Sequence, residues 1–467
     1  MRWSRCPRLA TWLAVLAGLA RAANADQPTN FVASELLALN DNGAWSWFTD
    51  ERAIVADGKL IVGSVRAVRD FHAGRGDPNW GNVELVVHDI ERGTTERVVL
   101  ARRFEQDDHD SPALLALPDG RILATYTRHA VERKVFCRIS NPKDPLAWGR
   151  IQEIATPGED SPPFTGSNVT YSNLLQMKSG RIYNFYRGFE YDPNSMYSDD
   201  FGRSWYLGGR LFQGRAGYGP YTKYASDGDD TIHLVATEDH PRKFDNSLYH
   251  AFIRGAQVHR SDGTPLGPLA EGTDTEISAW DLTNVFQGDA DNVAWMIDLE
   301  LDAEKRPRVI FSVQKDGRGL PRGQGGFDHR YRYARWDGSA WQTYEIAYAG
   351  QRLYPSEDDY TGLAAIDPRN TNVVYISTDA APQTGEPLVS PADGKRHREL
   401  FRGRTADGGA TWTWTPITAN STMDNLRPIV PKWDDSRTAL VWMRGSYRQN
   451  RGEWTTAVVA TILPATR

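Results

Sequence analysis

Seven stretches of the chain repeat one idea, a tight turn followed by a short apolar strand. They begin at Asp57 (DGKLIVGSV), Asp119 (DGRILATYTRH), Ser179 (SGRIYNFYR), Asp229 (DDTIHLVATEDH), Glu304 (EKRPRVIFSVQ), Asn370 (NTNVVYISTDA) and Asp435 (DSRTALVWMRG). Successive starts lie roughly 50 to 75 residues apart, room for one four-stranded antiparallel sheet per repeat, so the pattern predicts a ring of blades. The expected fold is all-β, a seven-bladed β-propeller. Helical periodicity is nearly absent, while short Val, Ile, Tyr and Trp runs bounded by Gly, Asp, Asn and Pro recur throughout. Seven blades use nearly all of the 467 residues, so one domain over residues 26–467 is expected although length alone would suggest more.

Residues 1–25 read differently. Arg2, Arg5 and Arg8 precede an apolar run from Leu9 to Leu19, and Ala23-Asn24-Ala25 offers small residues for cleavage. That pattern predicts a secretory signal, too short and interrupted for a stable membrane span, and hence a secreted or periplasmic protein with no membrane partner. Cys6 leaves with the signal and Cys137 remains alone, so no intramolecular disulfide is expected. The formal charge of −6 falls to about −10 without the signal arginines. Nothing in that balance points to nucleic acid, and a positive field for an anionic ligand would have to be local.

Two segments, Ser198-Asp199-Asp200-Phe201-Gly202-Arg203-Ser204-Trp205 and Thr405-Ala406-Asp407-Gly408-Gly409-Ala410-Thr411-Trp412, resemble the Asp-box turn of sialidase-like propellers. In such a turn Asp accepts bonds from the backbone, Gly permits positive φ, and Trp tucks beneath the hairpin. Degenerate copies stand at Ser140–Trp148 and Trp336–Trp341. The motif speaks for the fold and is silent about chemistry.

Candidate chemistry emerges when the repeats are aligned on their turns. The strands before and after each turn are antiparallel, so the start of the first and the end of the second share one end of a blade. The second repeat opens with His109 and closes with His129; the third opens with Tyr171 and closes with Arg187; the fourth opens around Tyr221 and closes with His240. Tyr218, Lys223 and Tyr224 lie close to Tyr221, and of the three tyrosines turn alignment favours Tyr221. Each residue alone has a plain structural reading, as a hydrogen-bonded strand end, a packing ring or a surface cation able to pair with Glu190 or Asp192. Together they place proton-transfer groups and cations on one rim from three adjacent blades. No phosphate loop, nucleophile elbow or zinc-protease motif accompanies them. Glycoside hydrolysis wants two carboxyl groups across the bond; here only Asp108 and Asp110, flanking His109, stand near. The His, Tyr and Arg inventory suits β-elimination from a uronic acid, in which a base takes the C5 proton, an acid protonates the departing O4, and cations hold the carboxylate as it gains enolate charge.

At the DDHDSPAL…LPDGR…YTRH, NVTYSNLLQ…GRIYNFYR, PYTKYASDG and TEDHP segments the chain resembles the bacterial-neuraminidase-repeat (BNR-4) propellers that include ulvan lyases of polysaccharide lyase families 24 and 25 and related rhamnosyl-glucuronate lyases. The resemblance implies that Tyr171 is the acid, and for some substrates also the base. It implies His109 as the alternative base, His129 and Arg187 as neutralising cations, and Tyr221 as a substrate-placing residue, with Tyr224, His240 and Lys223 as further substrate contacts. A base role for Tyr171 requires neighbouring positive charge to lower its phenol from the ordinary ~10. The implied substrate is an anionic uronate-containing polysaccharide and the implied state a monomer. No cofactor is implied for catalysis, whereas family members can carry a structural calcium or zinc ion; Asp289, Asp291 and Asp298 are a weak calcium suggestion against a solvated acidic loop. A sialidase-like or rhamnosidase-like hydrolase and a non-enzymatic carbohydrate-binding propeller are the alternatives on the same scaffold. Against the sialidase form, no Arg-Ile-Pro segment stands near the start.

Overall fold

A computed structural model of the chain describes residues 27–67, 78–157, 168–215, 219–269, 275–317, 320–321 and 323–464. The expected signal, Cys6 and Tyr218 lie outside these residues. The predicted ring is present. Seven antiparallel sheets follow one another, with inner strands Ala53–Ala56, Ala113–Ala116, Thr170–Gln176, Thr222–Ser226, Val293–Leu301, Ala364–Ile366 and Asn425–Ile429, here blades 1 to 7. Each of the seven repeated turns joins an inner strand to the second strand of its blade. Among the described residues the only helical turns are 3-10 turns, including Asp108–Asp110 and Ala279–Asp281, and no helix is long and apolar enough to cross a membrane.

Second strands bury both faces, because each blade is sandwiched between two others. In Lys59–Val65, Leu60 and Val62 join the largest apolar cluster while Ile61 packs with Leu114 and Ile122 of blade 2. That double burial explains why these strands read as near-continuous apolar runs, and each buried Leu, Ile or Val contributes about 1.5–3 kcal/mol. Cys137 is one such core residue, enclosed by Ala113, Leu123, Leu174 and Ile182.

The ring closes between its two ends. Leu37–Asn40 pairs antiparallel with Ala457–Leu463, so the first described strand of a blade becomes the outermost strand of blade 7. From there the chain must cross to the innermost strand of blade 1, and residues 44–50 (AWSWFTD) make that crossing through the axis. Five blades hold this segment. Ser46 N–H donates to Asp108 O (2.9 Å), Asn173 Nδ2 to Phe48 O (3.1 Å), Lys223 Nζ to Trp47 O (2.6 Å), Trp47 Nε1 to Met296 O (3.2 Å), and Arg427 to Trp45 O. Trp47 and Phe48 thereby plug the central channel and floor its mouth.

Both Asp boxes form as expected. Asp200 accepts from Ser204 N (2.8 Å) and Ser204 Oγ (2.5 Å), and Trp205 Nε1 reaches Gly202 O (3.1 Å); Asp407, Thr411 and Trp412 repeat the geometry. They connect the third and fourth strands of blades 3 and 6. The degenerate copies occupy the same connection in blades 2 and 5. These turns lie at the end of the sheets opposite the rim.

Candidate active site

Six of the residues expected at the rim form a continuous arc. The His109 and His129 rings are stacked, 3.8 Å between centroids and 9° between planes. His109 lies 5.3 Å from Tyr171, Tyr171 lies 6.2 Å from Tyr221, and Tyr221 meets His240 edge-on at 5.4 Å. The Arg187 guanidinium sits over the rings of Tyr171 (4.9 Å) and Tyr221 (5.4 Å). It donates to Tyr221 Oη (3.0 Å) and Thr170 Oγ1 (3.1 Å). Glu190 and Asp192, its suggested partners, are instead taken by Arg210 at 2.9 and 3.1 Å.

Local backbone devices aim these side chains. Tyr171 has φ 69°, in the left-handed region that bulky residues avoid. It sits in a bulge where the register shifts between Thr170 and Asn173, which turns the phenol toward the mouth. His109 lies in the 3-10 turn capped by Asp107, whose Oδ1 accepts from His109 N (3.1 Å) and Nδ1 (2.6 Å). Asp107 Oδ2 accepts from His129 Nδ1 (2.8 Å), so one buried carboxylate bridges both imidazoles.

Charge separates the two histidines. Burial opposes a charge on His109, but Asp107 together with Asp108, 2.9 Å from the same Nδ1, outweighs it and raises His109 to about 9. Burial and the adjacent His109 cation lower His129 to about 4. His109 is therefore the cation of the pair. His129 stays neutral, its Nδ1 proton on Asp107, so the charges fall the other way round from those the resemblance implies for the two rings. Burial, with Tyr221 adding, pushes the Tyr171 phenol well above its usual value, and Arg187 offsets only part of this. The phenol is thus raised where a base role would need it lowered, and in the free protein it is protonated.

Neither carboxyl flanking His109 is free to serve as half of a hydrolytic pair. Asp108 is 1% exposed and bonded to Arg427 and Tyr447. Asp110 is fully enclosed, and burial together with Glu105, Asp107 and Asp108 raises it well above the usual carboxylate range.

Two expected contacts lie deeper than the arc, Tyr224 in a small cavity it lines with Tyr171, Arg187 and Tyr221. Tyr224 stacks on Phe185 between blades 3 and 4 (4.5 Å, 12°). Lys223 points to the axis beneath the plug, bonded to Trp47 O and paired with Asp50. Alternation is the reason: from Tyr221, two residues along is the same face but deeper, and three is the opposite face. His240 stays at the rim, its Nδ1 accepting from Arg242 N (3.1 Å), its ring 4.8 Å from Trp295.

The suggested calcium ligands do not gather. Asp289 Oδ1 accepts from Asp291 N (2.8 Å) and Asn292 Nδ2 (3.0 Å) in its own turn, whereas Asp298, on the inner strand of blade 5, accepts from Leu299 N and from Ile366 N of blade 6. Among the described residues Asp107, His109 and His129 are the one convergent donor set. It does not suit an ion. Imidazole lone pairs lie in the ring plane, and two parallel stacked rings cannot both direct Nδ1 at one metal.

Sequence reasoning missed Trp47, Phe48, Asp107, Arg427 and Tyr447. The aromatic run AWSWFTD ahead of the first repeat was a signal for the plug; Asp107 was visible in QDDHD; nothing local marks Arg427 or Tyr447.

A family model described as BNR repeat-containing family member matches residues 64–349. No curated protein sequence matches the chain. Among solved structures, a PL25 ulvan lyase bound to -[GlcA(1-4)Rha3S]- is similar over 92% of this chain and 95% of its own, with 14% identity and a TM-score of 0.60. The polysaccharide lyase Uly1 is similar over 93% and 100%, with 11% identity and a TM-score of 0.56. At these identities the likeness establishes the shared propeller.

Proposed function

The chain belongs to the BNR repeat-containing family, and from that premise we propose that it is an exported polysaccharide lyase that cleaves a rhamnose–uronate linkage by β-elimination, with ulvan the favoured polymer. One observation carries the reading: stacked imidazoles, the Tyr171 phenol and the Arg187 guanidinium converge on one rim, while the two carboxyls flanking His109 are enclosed. The propeller shared with an ulvan lyase bound to -[GlcA(1-4)Rha3S]- supports the choice of polymer.

His129 Nε2 takes the C5 proton of the uronate, and the C5–H electron pair becomes the C4=C5 double bond. As the C4–O4 bond breaks, the Tyr171 phenol gives its proton to O4. Arg187 and the His109 imidazolium stabilise the carboxylate as it takes up enolate charge. Tyr221, held by Arg187, orients the sugar. The products are a 4,5-unsaturated uronate end and a free hydroxyl on the neighbouring sugar. Proton transfer runs through side chains.

The test is absorbance near ~235 nm, where the conjugated product absorbs, while the mature protein is mixed with ulvan or another rhamnose–glucuronate polymer, beside a Tyr171→Phe control. A rise that falls by ~10²-fold or more in the control, with unchanged thermal unfolding, is expected. Reducing ends without absorbance would make the protein a hydrolase, and binding without turnover a carbohydrate-binding propeller.

A further inference from the structure

The rim comes from blades 2, 3 and 4, yet one of its imidazoles is braced from blade 7, on the other side of blade 1. We infer that Arg427, on the inner strand of blade 7, is a positioning residue that acts on His109 through Asp108.

The geometry is a chain of contacts from blade 7 to blade 2. Arg427 is 1% exposed and donates through one guanidinium nitrogen to Asp108 Oδ2 and to Trp45 O. Tyr447 Oη donates to the same Asp108 Oδ2 at 2.6 Å. The other oxygen, Oδ1, is buried and lies 2.9 Å from His109 Nδ1. The guanidinium is clamped over the rings of Tyr447 (4.3 Å) and Trp47 (5.3 Å), so Asp108 meets a cation that cannot turn away. Arg427 is aimed by the device that aims Tyr171. It has φ 51° and lies in a register shift between Leu426 and Ile429, as Tyr171 lies between Thr170 and Asn173. A strained bulge in a core strand persists where the surroundings over-determine it, and such positions concentrate at functional sites.

The charges around His109 show what the brace does. On its own loop stand Glu105, Asp107, Asp108 and Asp110; from the second strand of blade 2 and beyond come Arg128 and His129. Blade 3 faces it with Tyr171 and Arg187, and blade 7 with Arg427, Tyr447 and Arg451, the last 3.8 Å from Asp107. Asp107 is satisfied by two imidazoles. Asp108 shares only His109 of the two, and without Arg427 its second oxygen would keep the Tyr447 hydrogen bond but no countercharge. With Arg427 in place the pair Asp108–Arg427 is neutral, one proton serves the two histidines, and His129 is left free to accept. Without it the surplus negative charge draws a second proton onto the stack and occupies the lone pair on His129.

The inference rests on the elimination reading for its kinetic consequences but not for its physical ones, and the experiment keeps the two apart. Histidine titrations by NMR and pH profiles of kcat and KM would be measured for wild type, Arg427→Met, Arg427→Lys, Tyr447→Phe, Asp108→Asn and the Asp108→Asn/Arg427→Met double variant. Arg427→Met is expected to move the His129 titration upward by roughly one unit or more and to lower kcat by ~10²-fold with KM changed far less. Arg427→Lys, which keeps the charge, restores much of the wild-type titration. In the Asp108→Asn background the same Arg427→Met change costs less than ~3-fold, because no anion is left to strand. Additive losses in the double variant, or an unmoved His129 titration in Arg427→Met, would overturn the inference; should that variant fail to fold, an unmoved His129 titration in Tyr447→Phe, which loosens the same hold on Asp108, does so. If wild type eliminates no uronate polymer while the titrations shift as stated, the brace stands and the reaction assignment falls.

Discussion

The two histidines set a pH profile that one substitution should reshape. With His129 at about 4 as the base and His109 at about 9 as the cation, kcat/KM is expected to rise with pH through the first value and fall through the second, the two limbs belonging to the coupled pair. The lift of His109 from 6.5 to about 9 is worth ~3 kcal/mol, supplied by Asp107 and Asp108 against burial. In Asp107→Asn one of those charges is gone, so the alkaline limb should move down by roughly one to two units. The amide must also turn its NH2 group toward one imidazole, which drives that ring's proton onto Nε2 and removes the lone pair needed of a base. Turnover at neutral pH should fall by ~10²–10⁴-fold. The assay is initial-rate absorbance on one polymer from acid to alkaline pH, with urea unfolding to confirm the fold. An alkaline limb that stays in place in Asp107→Asn would refute the assignment of the cation to His109 through these carboxylates.

Three further outcomes are expected. Trp47→Ala removes a ring packed against Phe48, Trp295 and Tyr360 at the axis, and should cost about 3–5 kcal/mol in urea unfolding together with most of the activity. Asp200→Ala, in the turn of blade 3 remote from the rim, should lower the melting temperature by a few degrees and leave turnover unchanged; lost activity would contradict a purely structural role for that turn. In blade 4, His233 Nδ1 and His250 Nε2 share a hydrogen bond at 3.0 Å, burial lowers His233 to about 4, and burial lowers His250 well below its ordinary value. Unfolded, each binds a proton near 6.5, whereas folded they resist it, so the stability they lend is whole above that pH and is lost as pH falls toward 4. At pH 5 the loss is about 2 kcal/mol for His233, and His233→Gln should flatten the difference between urea midpoints at pH 7 and pH 5.

Much of the fold was readable because its determinants are local. Turn residues and apolar strands repeat in register, so counting from Asp119, Ser179 and Asp229 located the strand ends that carry His109, His129, Tyr171, Arg187, Tyr221 and His240. The same counting could not separate the faces of the strand holding Tyr221, Lys223 and Tyr224. Twist and the bulge at the start of a strand decide which side chain meets the mouth, and both depend on what packs behind it.

By itself, the sequence determined a ring of seven antiparallel blades, the turns that join their strands, and the inventory on one rim. Only the tertiary structure decided that AWSWFTD fills the axis, that His109 rather than His129 holds the proton, and that Arg427 reaches Asp108 across 319 positions of chain. Periodic patterns encode contacts within a blade, where neighbours in space are neighbours in sequence. The contacts that set charge at the mouth join blades 7 and 2, far apart in sequence but flanking blade 1 in the closed ring, and they arise only when the outermost strand of blade 7 is supplied from the other end of the chain.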